Sequence, residues 1–294
     1  MGSIKELLRV NNYIALKYFS GRLGNWMHQY AYMRSMSEKL NTRFSIPNFY
    51  YNKKNMRTKY YHGLDDIFVL RDNRIKYVAG LAETDLKRNI TESDFGKPYG
   101  QYHIGLDFPN ILDNAMYSGT FQSYKYYSKR SCSWFKFRGS YVLDIIKDKI
   151  FQNKRCVGVH LRLGDILKNK RLLRRRGGLC SDNYYNKAFK ITECEKVIVF
   201  SDNITLAKEI FSRINYGDRE VVFSENRPDY EDMYMLNRCE DKILCDSTFS
   251  WWAGYMNHHK NKGKVMSPRK WYSDKIGTKT EDINIKEWVL IDKK

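Results

Sequence analysis

Arg162 and Asp165 stand close together in the segment His160-Leu161-Arg162-Leu163-Gly164-Asp165. An arginine fork can grip a diphosphate through parallel hydrogen bonds, and its charge is not titrated away. Asp165 can pair with that arginine, or it can accept a proton from a reacting hydroxyl. His160 shares a face with Arg162 if the segment ends an extended strand, because alternate residues of a strand point the same way. A second group is Asp246-Ser247-Thr248-Phe249-Ser250-Trp251-Trp252. Where such a segment joins a strand to a helix, the hydroxyls of Ser247 and Thr248 stand beside the unpaired N–H groups of the first turn. They can cap the helix or hold a phosphate. A third is Gly21-Arg22-Leu23-Gly24-Asn25. Its glycines let backbone approach a ligand closely, although a plain strand-to-helix turn would look the same.

The elements that must position these groups are legible mainly in the second half. Apolar runs predict strands at 156–161, 196–200, 220–223, 242–245 and 264–266, and helical spacing predicts helices at 183–192, from Asn203 to about 213, 230–238 and 249–258. In the first half, 13–19 reads as a strand and 26–40 as a helix, while 48–135 has no readable pattern. Strands alternating with helices predict an α/β fold with parallel sheets. Right-handed crossovers then bring every strand's C-terminal end to one edge, where ligands bind. Arg162 and Asp165, Ser201 and Asp202, the Asp246–Thr248 segment, and Gly24 and Asn25 all fall on that edge.

Composition narrows the partners. The chain has 294 residues, 42% of them apolar, enough for a sizeable core. With 52 basic and 33 acidic side chains its formal charge is +19. That excess calls for an anionic partner such as a phosphate-bearing substrate or, through charge alone, an anionic membrane surface. Nucleic acid is set aside because no nucleic-acid motif accompanies the charge. The 23 tyrosines suit sugar binding. The six cysteines form no C-x-x-C pair, which disfavours zinc and thioredoxin-like chemistry and fits buried thiols in a cytoplasmic protein. Residues 1–10 are polar, and no apolar run reaches the ~18 residues of a membrane span, so a soluble protein is expected.

Taken in order, the three segments resemble the α-1,2-fucosyltransferase family, glycosyltransferase family 11. GRLGNWMHQYA at 21–31 is similar to the family's G-G-x-G-N-Q-M-x-Q-Y-A start, HLRLGD at 160–165 to its H-x-R-R-G-D, and CEDKILCDSTFSWWAG at 239–254 to its C-x-x-x-I-x-x-N-S-[ST]-[FY]-S-W-W segment. Pro268-Arg269-Lys270-Trp271 and Glu287-Trp288-Val289 look like the family's C-terminal end.

The resemblance implies a GT-B-like enzyme of two facing Rossmann-like domains, 1–150 on the acceptor side and 151–294 on the donor side. It implies GDP-fucose as donor, a glycan as acceptor, inversion at the anomeric carbon, and neither metal nor cofactor. The residues agree on one point independently: there is no Asp-x-Asp, the pair that holds a divalent ion on a nucleotide sugar's diphosphate. The implied catalytic set is Arg162, Asp165 and His160. The implied donor-binding set is Gly24, Asn25, Arg162, Asp202, Asp232, Ser247, Thr248 and Ser250, with Asp232 resembling the aspartate near guanosine in related fucosyltransferases. Leu163, Asp246 and Trp26 depart from the pattern, standing where arginine, asparagine and glutamine are usual. Two other readings are a transferase of the same fold with another nucleotide sugar or a protein acceptor, and a non-catalytic carbohydrate-binding relative.

Overall fold

The structure is a computed structural model describing residues 13–47, 63–70, 75–78, 88–91, 115–140, 155–257, 262–274 and 282–294. The polar stretch 1–10 and the basic stretch 51–54 lie outside these residues. The chain forms two compact units, Met1–Lys136 and Phe137–Lys294. The second unit begins at Phe137, before the expected 150/151. Phe137 packs edge-on against Tyr234, its ring centroid 5.1 Å away.

Among the described residues the first unit holds β1 (Tyr13–Leu16), α1 (Leu23–Leu40), β2 (Arg43–Pro47), α2 (Leu64–Ile67), β3 (Ile75–Val78), β4 (Arg88–Thr91) and β5 (Ala115–Ser118). The strands make one parallel sheet in the order β3-β2-β1-β5-β4. The direction of winding therefore reverses between β1 and β5. Helix α1 carries Met27, Tyr30, Ala31 and Met33 into the core, all fully buried. It ends at Asn41, whose left-handed backbone (φ 49°) lets its N–H close on the Ser37 carbonyl. Tyr32 stacks on Phe121 at 3.8 Å, so α1 is fastened to the segment after β5 by aromatic surface.

The second unit runs β6 (Cys156–Leu161), α3 (Gly164–Lys168), α4 (Lys170–Arg175), α5 (Asp182–Phe189), β7 (Lys196–Ser201), α6 (Ile204–Phe211), β8 (Glu220–Phe223), α7 (Asp229–Arg238), β9 (Asp241–Ile243), α8 (Thr248–Tyr255), β10 (Val265–Pro268) and β11 (Val289–Ile291). Its sheet is also parallel, in the order β11-β10-β9-β6-β7-β8. The mostly apolar make-up of β6 and β7 fits strands buried on both faces. Val157, Val159 and Leu161 pack with Tyr184, Ala188, Ala207 and Phe211 of α5 and α6. On the other face Gly158 admits α7: a Cβ there would come within 2.6 Å of Leu236 Cδ1. Side-chain caps start α5 and α6, Ser181 Oγ accepting from the Tyr184 N–H and Asn203 Oδ1 from the Leu206 N–H.

The expected elements form, with shifted ends. Helix α1 begins at Leu23 and so takes Gly24 and Asn25 into its first turn. Strand β9 ends at Ile243, which frees Cys245 and Asp246 to shape the approach to α8. Within the region that had no readable pattern, β3, β4 and β5 pair into the parallel sheet.

Candidate active site

In the second unit the winding reverses between β6 and β9. Loops leaving these strands diverge, opening the crevice in which such sheets bind ligands. The HLRLGD loop follows β6, and the Asp246-Ser247-Thr248 segment follows β9. His160 links the two: its Nδ1 lies 3.1 Å from Cys245 Sγ and its ring is 5.0 Å from Phe249. His160 is buried, and burial pushes the Cys245 thiol up to about 12, so the thiol stays protonated. These contacts make His160 a strut between the loops.

Arg162 and Asp165 form a two-point pair, Nε to Oδ1 at 2.9 Å and Nη2 to Oδ2 at 2.7 Å. The pair holds the guanidinium plane and leaves further N–H donors for a ligand. Asp202, after β7, holds the loop from the other side. Its Oδ1 accepts from the Leu163 N–H at 2.7 Å and the Gly164 N–H at 2.8 Å. The geometry places Asp202 on protein backbone.

Helix α8 is apolar almost all round, with Trp251, Trp252, Ala253 and Gly254 buried. Trp251 Nε1 donates to the Ile283 carbonyl at 2.6 Å, and Asn237 Nδ2 donates to the Ala253 and Met256 carbonyls at 2.9 and 2.8 Å. The helix is thus pinned at its middle and at its C-terminal end. Ser247 occupies the N-cap position but makes no capping hydrogen bond. The Ser247 side chain therefore leaves the first-turn N–H groups uncapped at the ligand edge. Ser250 is turned inward, its hydroxyl donating to the Cys245 and Ser247 carbonyls at 3.3 and 3.2 Å.

Asp232 sits at the outer end of the same edge, in the first turn of α7 and against the residue that follows β8. Its Oδ1 accepts from Ser224 Oγ at 2.6 Å. Burial raises its pKa to about 7, against the opposing effects of the Ser224 hydroxyl and Arg227. A carboxyl poised near neutrality at a ligand edge is a functional-site signature.

In the first unit Gly21 holds φ at +75°, and a Cβ there would fall 2.0 Å from Asn25 Nδ2. Asn25 Oδ1 accepts from Gln122 Nε2 at 3.1 Å, joining the loops after β1 and β5 at that sheet's own reversal point. Gln29, fully buried, ties the same loops: its Oε1 accepts from the Ser20 N–H at 3.1 Å, and its Nε2 donates to the Gly119 carbonyl at 2.6 Å. Gly24 is buried in the first turn of α1.

The sequence matches the profile of glycosyl transferase family 11 over residues 8–292. The chain belongs to that family. A curated relative, the O-antigen biosynthesis glycosyltransferase WbnK of Escherichia coli, is 31% identical over 154 residues, which cover 50% of this chain and 48% of WbnK. The chain spans about half the length of that relative. Among solved structures, POFUT1 in complex with GDP-fucose superposes with a TM-score of 0.56 at 14% identity, covering 86% of this chain and 96% of POFUT1. NodZ α-1,6-fucosyltransferase soaked with GDP-fucose gives 0.53 at 12% identity, covering 83% and 92%. At these identities the likeness is one of fold, the GT-B-like arrangement of parallel α/β units.

The departures from the glycosyl transferase family 11 pattern find structural reasons. Leu163 is buried in the core cluster with Val159 and Ile210, so this position points into the unit while Arg162 stays at the edge. Asp246 is likewise buried and meets Lys293, whose Nζ lies 2.9 Å from its Oδ2. Trp26 is buried and packs edge-on against Phe19 at 6.2 Å. Sequence reasoning missed Lys293, Gln122, Ser224 and Gln29. Only Gln29 carried a signal, a glutamine on the buried face of a helix.

Proposed function

We propose that this family 11 chain transfers L-fucose from GDP-fucose to a sugar hydroxyl, inverting the anomeric carbon, forming an α-1,2 linkage and using no metal. The observation that carries the reading is the pairing, at one crevice, of a pre-aligned arginine with the uncapped N-terminus of a rigid helix. Departing GDP gathers negative charge on its diphosphate. Arg162, the hydroxyls of Ser247 and Thr248 and the first N–H groups of α8 meet that charge without reorganising. Asp232 receives the base at the far end. From β9 to β8 is three strand spacings, about 14 Å, a span suited to an extended nucleoside diphosphate. The GDP-fucose complexes of the fold neighbours support the same donor. The α-1,2 linkage rests on the three family segments, and the NodZ name shows that the fold also serves an α-1,6 outcome.

A donor screen with several GDP- and UDP-sugars against mixed glycan acceptors, with product linkage read by NMR, tests the reading. Turnover of GDP-fucose to an α-1,2 product is expected. Preference for a UDP-sugar, or another linkage, would overturn it.

A further inference from the structure

Arg176 ends the basic block that follows the HLRLGD loop. It is only 6% exposed, yet among the described residues its Nε and Nη1 have no hydrogen-bond partner. A buried guanidinium with two nitrogens lacking an acceptor is costly and calls for an explanation. Its surroundings are built to hold it. The guanidinium lies 4.5 Å from the Tyr272 ring centroid and 5.6 Å from that of Trp271. Arg175 lies over the same Tyr272 ring at 5.4 Å. One buried tyrosine therefore gathers two adjacent cations. The backbone is fixed as well: the Ser273 N–H donates to the Arg175 carbonyl at 2.9 Å, and Lys293 Nζ donates to the Arg176 carbonyl at 2.8 Å.

The place is also informative. Trp271 and Tyr272 follow β10, so they stand at the ligand edge of the sheet. Lys293 connects Arg176 to Asp246, the residue before Ser247. Leu163 has withdrawn into the core, so the HLRLGD loop offers one arginine where a diphosphate carries more than one charge.

We propose that Arg176, with Arg175 and on the platform of Tyr272 and Trp271, is a second phosphate-binding site that takes a phosphate of the nucleotide donor. This assignment rests on the donor reading above. The stacked ring keeps the Arg176 guanidinium plane ready for an anion. The site then supplies positive charge to the donor from a part of the chain separate from the family segments.

The test is calorimetric titration with GDP, GMP, pyrophosphate and inorganic phosphate, on the parent chain and on Arg176→Met, Arg176→Lys and Arg174→Met. Methionine keeps the apolar stem and removes the charge, and Arg174→Met controls for loss of an exposed neighbouring charge. GDP should bind Arg176→Met at least tenfold more weakly, with GMP affected less and Arg174→Met close to the parent. Melting temperature without ligand should hold or rise in Arg176→Met, because an unpaired buried charge has gone. Unchanged GDP affinity with a lowered melting temperature would overturn the proposal and leave Arg176 a packing residue. If Arg176→Met fails to fold, Arg176→Lys decides: unchanged GDP and pyrophosphate affinities there would overturn it too. A parent that binds pyrophosphate through Arg176 but shows no GDP affinity would sink the donor reading while upholding the phosphate site.

Discussion

Lys293 Nζ and Asp246 Oδ2 are 2.9 Å apart, and both side chains are almost wholly buried. The next-to-last residue of the chain thereby neutralises the charge that the segment before α8 would otherwise bring toward the donor edge. The same ammonium also donates to the Arg176 carbonyl, so one side chain ties three stretches of the unit together.

Removing one partner of this pair leaves a buried charge uncompensated. Lys293→Met is expected to destabilise the fold by about 3–5 kcal/mol. Adding Asp246→Asn should recover part of that loss, since the orphaned carboxylate is then gone. Urea unfolding of the parent, both single variants and the double variant measures the coupling. A Lys293→Met variant as stable as the parent would remove the pair from any account of this fold.

Arg162→Ala is expected to lower kcat/KM by two or more decades at little change in melting temperature. Loss of one preorganised donor to developing charge is worth ~2.7–4 kcal/mol. Arg162→Lys should also be poor, because a point charge cannot make the two-point contact with Asp165. Asp165→Asn should behave as a loss of arginine alignment, raising KM and lowering kcat while the pH profile keeps its shape. A profile that loses its acidic limb would instead identify Asp165 as the proton acceptor.

Asp232 makes pH the sensitive variable. Burial raises its pKa to about 7, while the unfolded chain ionises near 3.9. Between those values the folded state holds a proton that the unfolded state has lost, so stability falls as pH rises through this window and levels off above about 7. The carboxylate accepts from the base only when ionised, so GDP affinity should rise across the same range. Asp232→Asn should flatten both trends and weaken GDP binding. Calorimetry and thermal melts between pH 5 and 8, parent against variant, decide it. The comparison with the variant removes the contribution of the nucleotide's own phosphates. An equal pH dependence in the two proteins would count against the assignment.

Ser247 and Thr248 separate ligand binding from helix capping. Ser247 makes no capping hydrogen bond, so the ~0.5–2 kcal/mol of an N-cap is not at stake. The double alanine variant should keep its melting temperature and bind GDP more than tenfold more weakly. Some affinity should remain through the backbone N–H groups. Parent-like GDP affinity in that variant would move the phosphates elsewhere.

Transfer is expected to survive EDTA, because the chain has no Asp-x-Asp and the protein donors already stand at the crevice. Initial rates with and without chelator measure this. Full inhibition, reversed by added Mn²⁺, would show that a divalent ion carries the leaving group.

The amino-acid sequence by itself determined the parallel α/β character of the second unit, since buried strands such as β6 and β7 are mostly apolar and alternate with helical segments. It also determined that Arg162, Asp202, Ser247 and Thr248 gather at one edge, because right-handed crossovers leave no other place for residues that follow parallel strands. What each group touches was decided only by tertiary structure. Asp202 turned to the backbone of the Arg162 loop, and Ser250 turned inward to the Cys245 and Ser247 carbonyls. The charge of Asp246 was cancelled by Lys293, nearly fifty positions away. None of these partnerships leaves a local mark, because a hydrogen bond between distant residues depends on where two loops arrive and not on the pattern of either. In the first unit the strands from β3 to β5 are only four residues long. Their pairing within one sheet, and not any periodicity of their own, makes them strands.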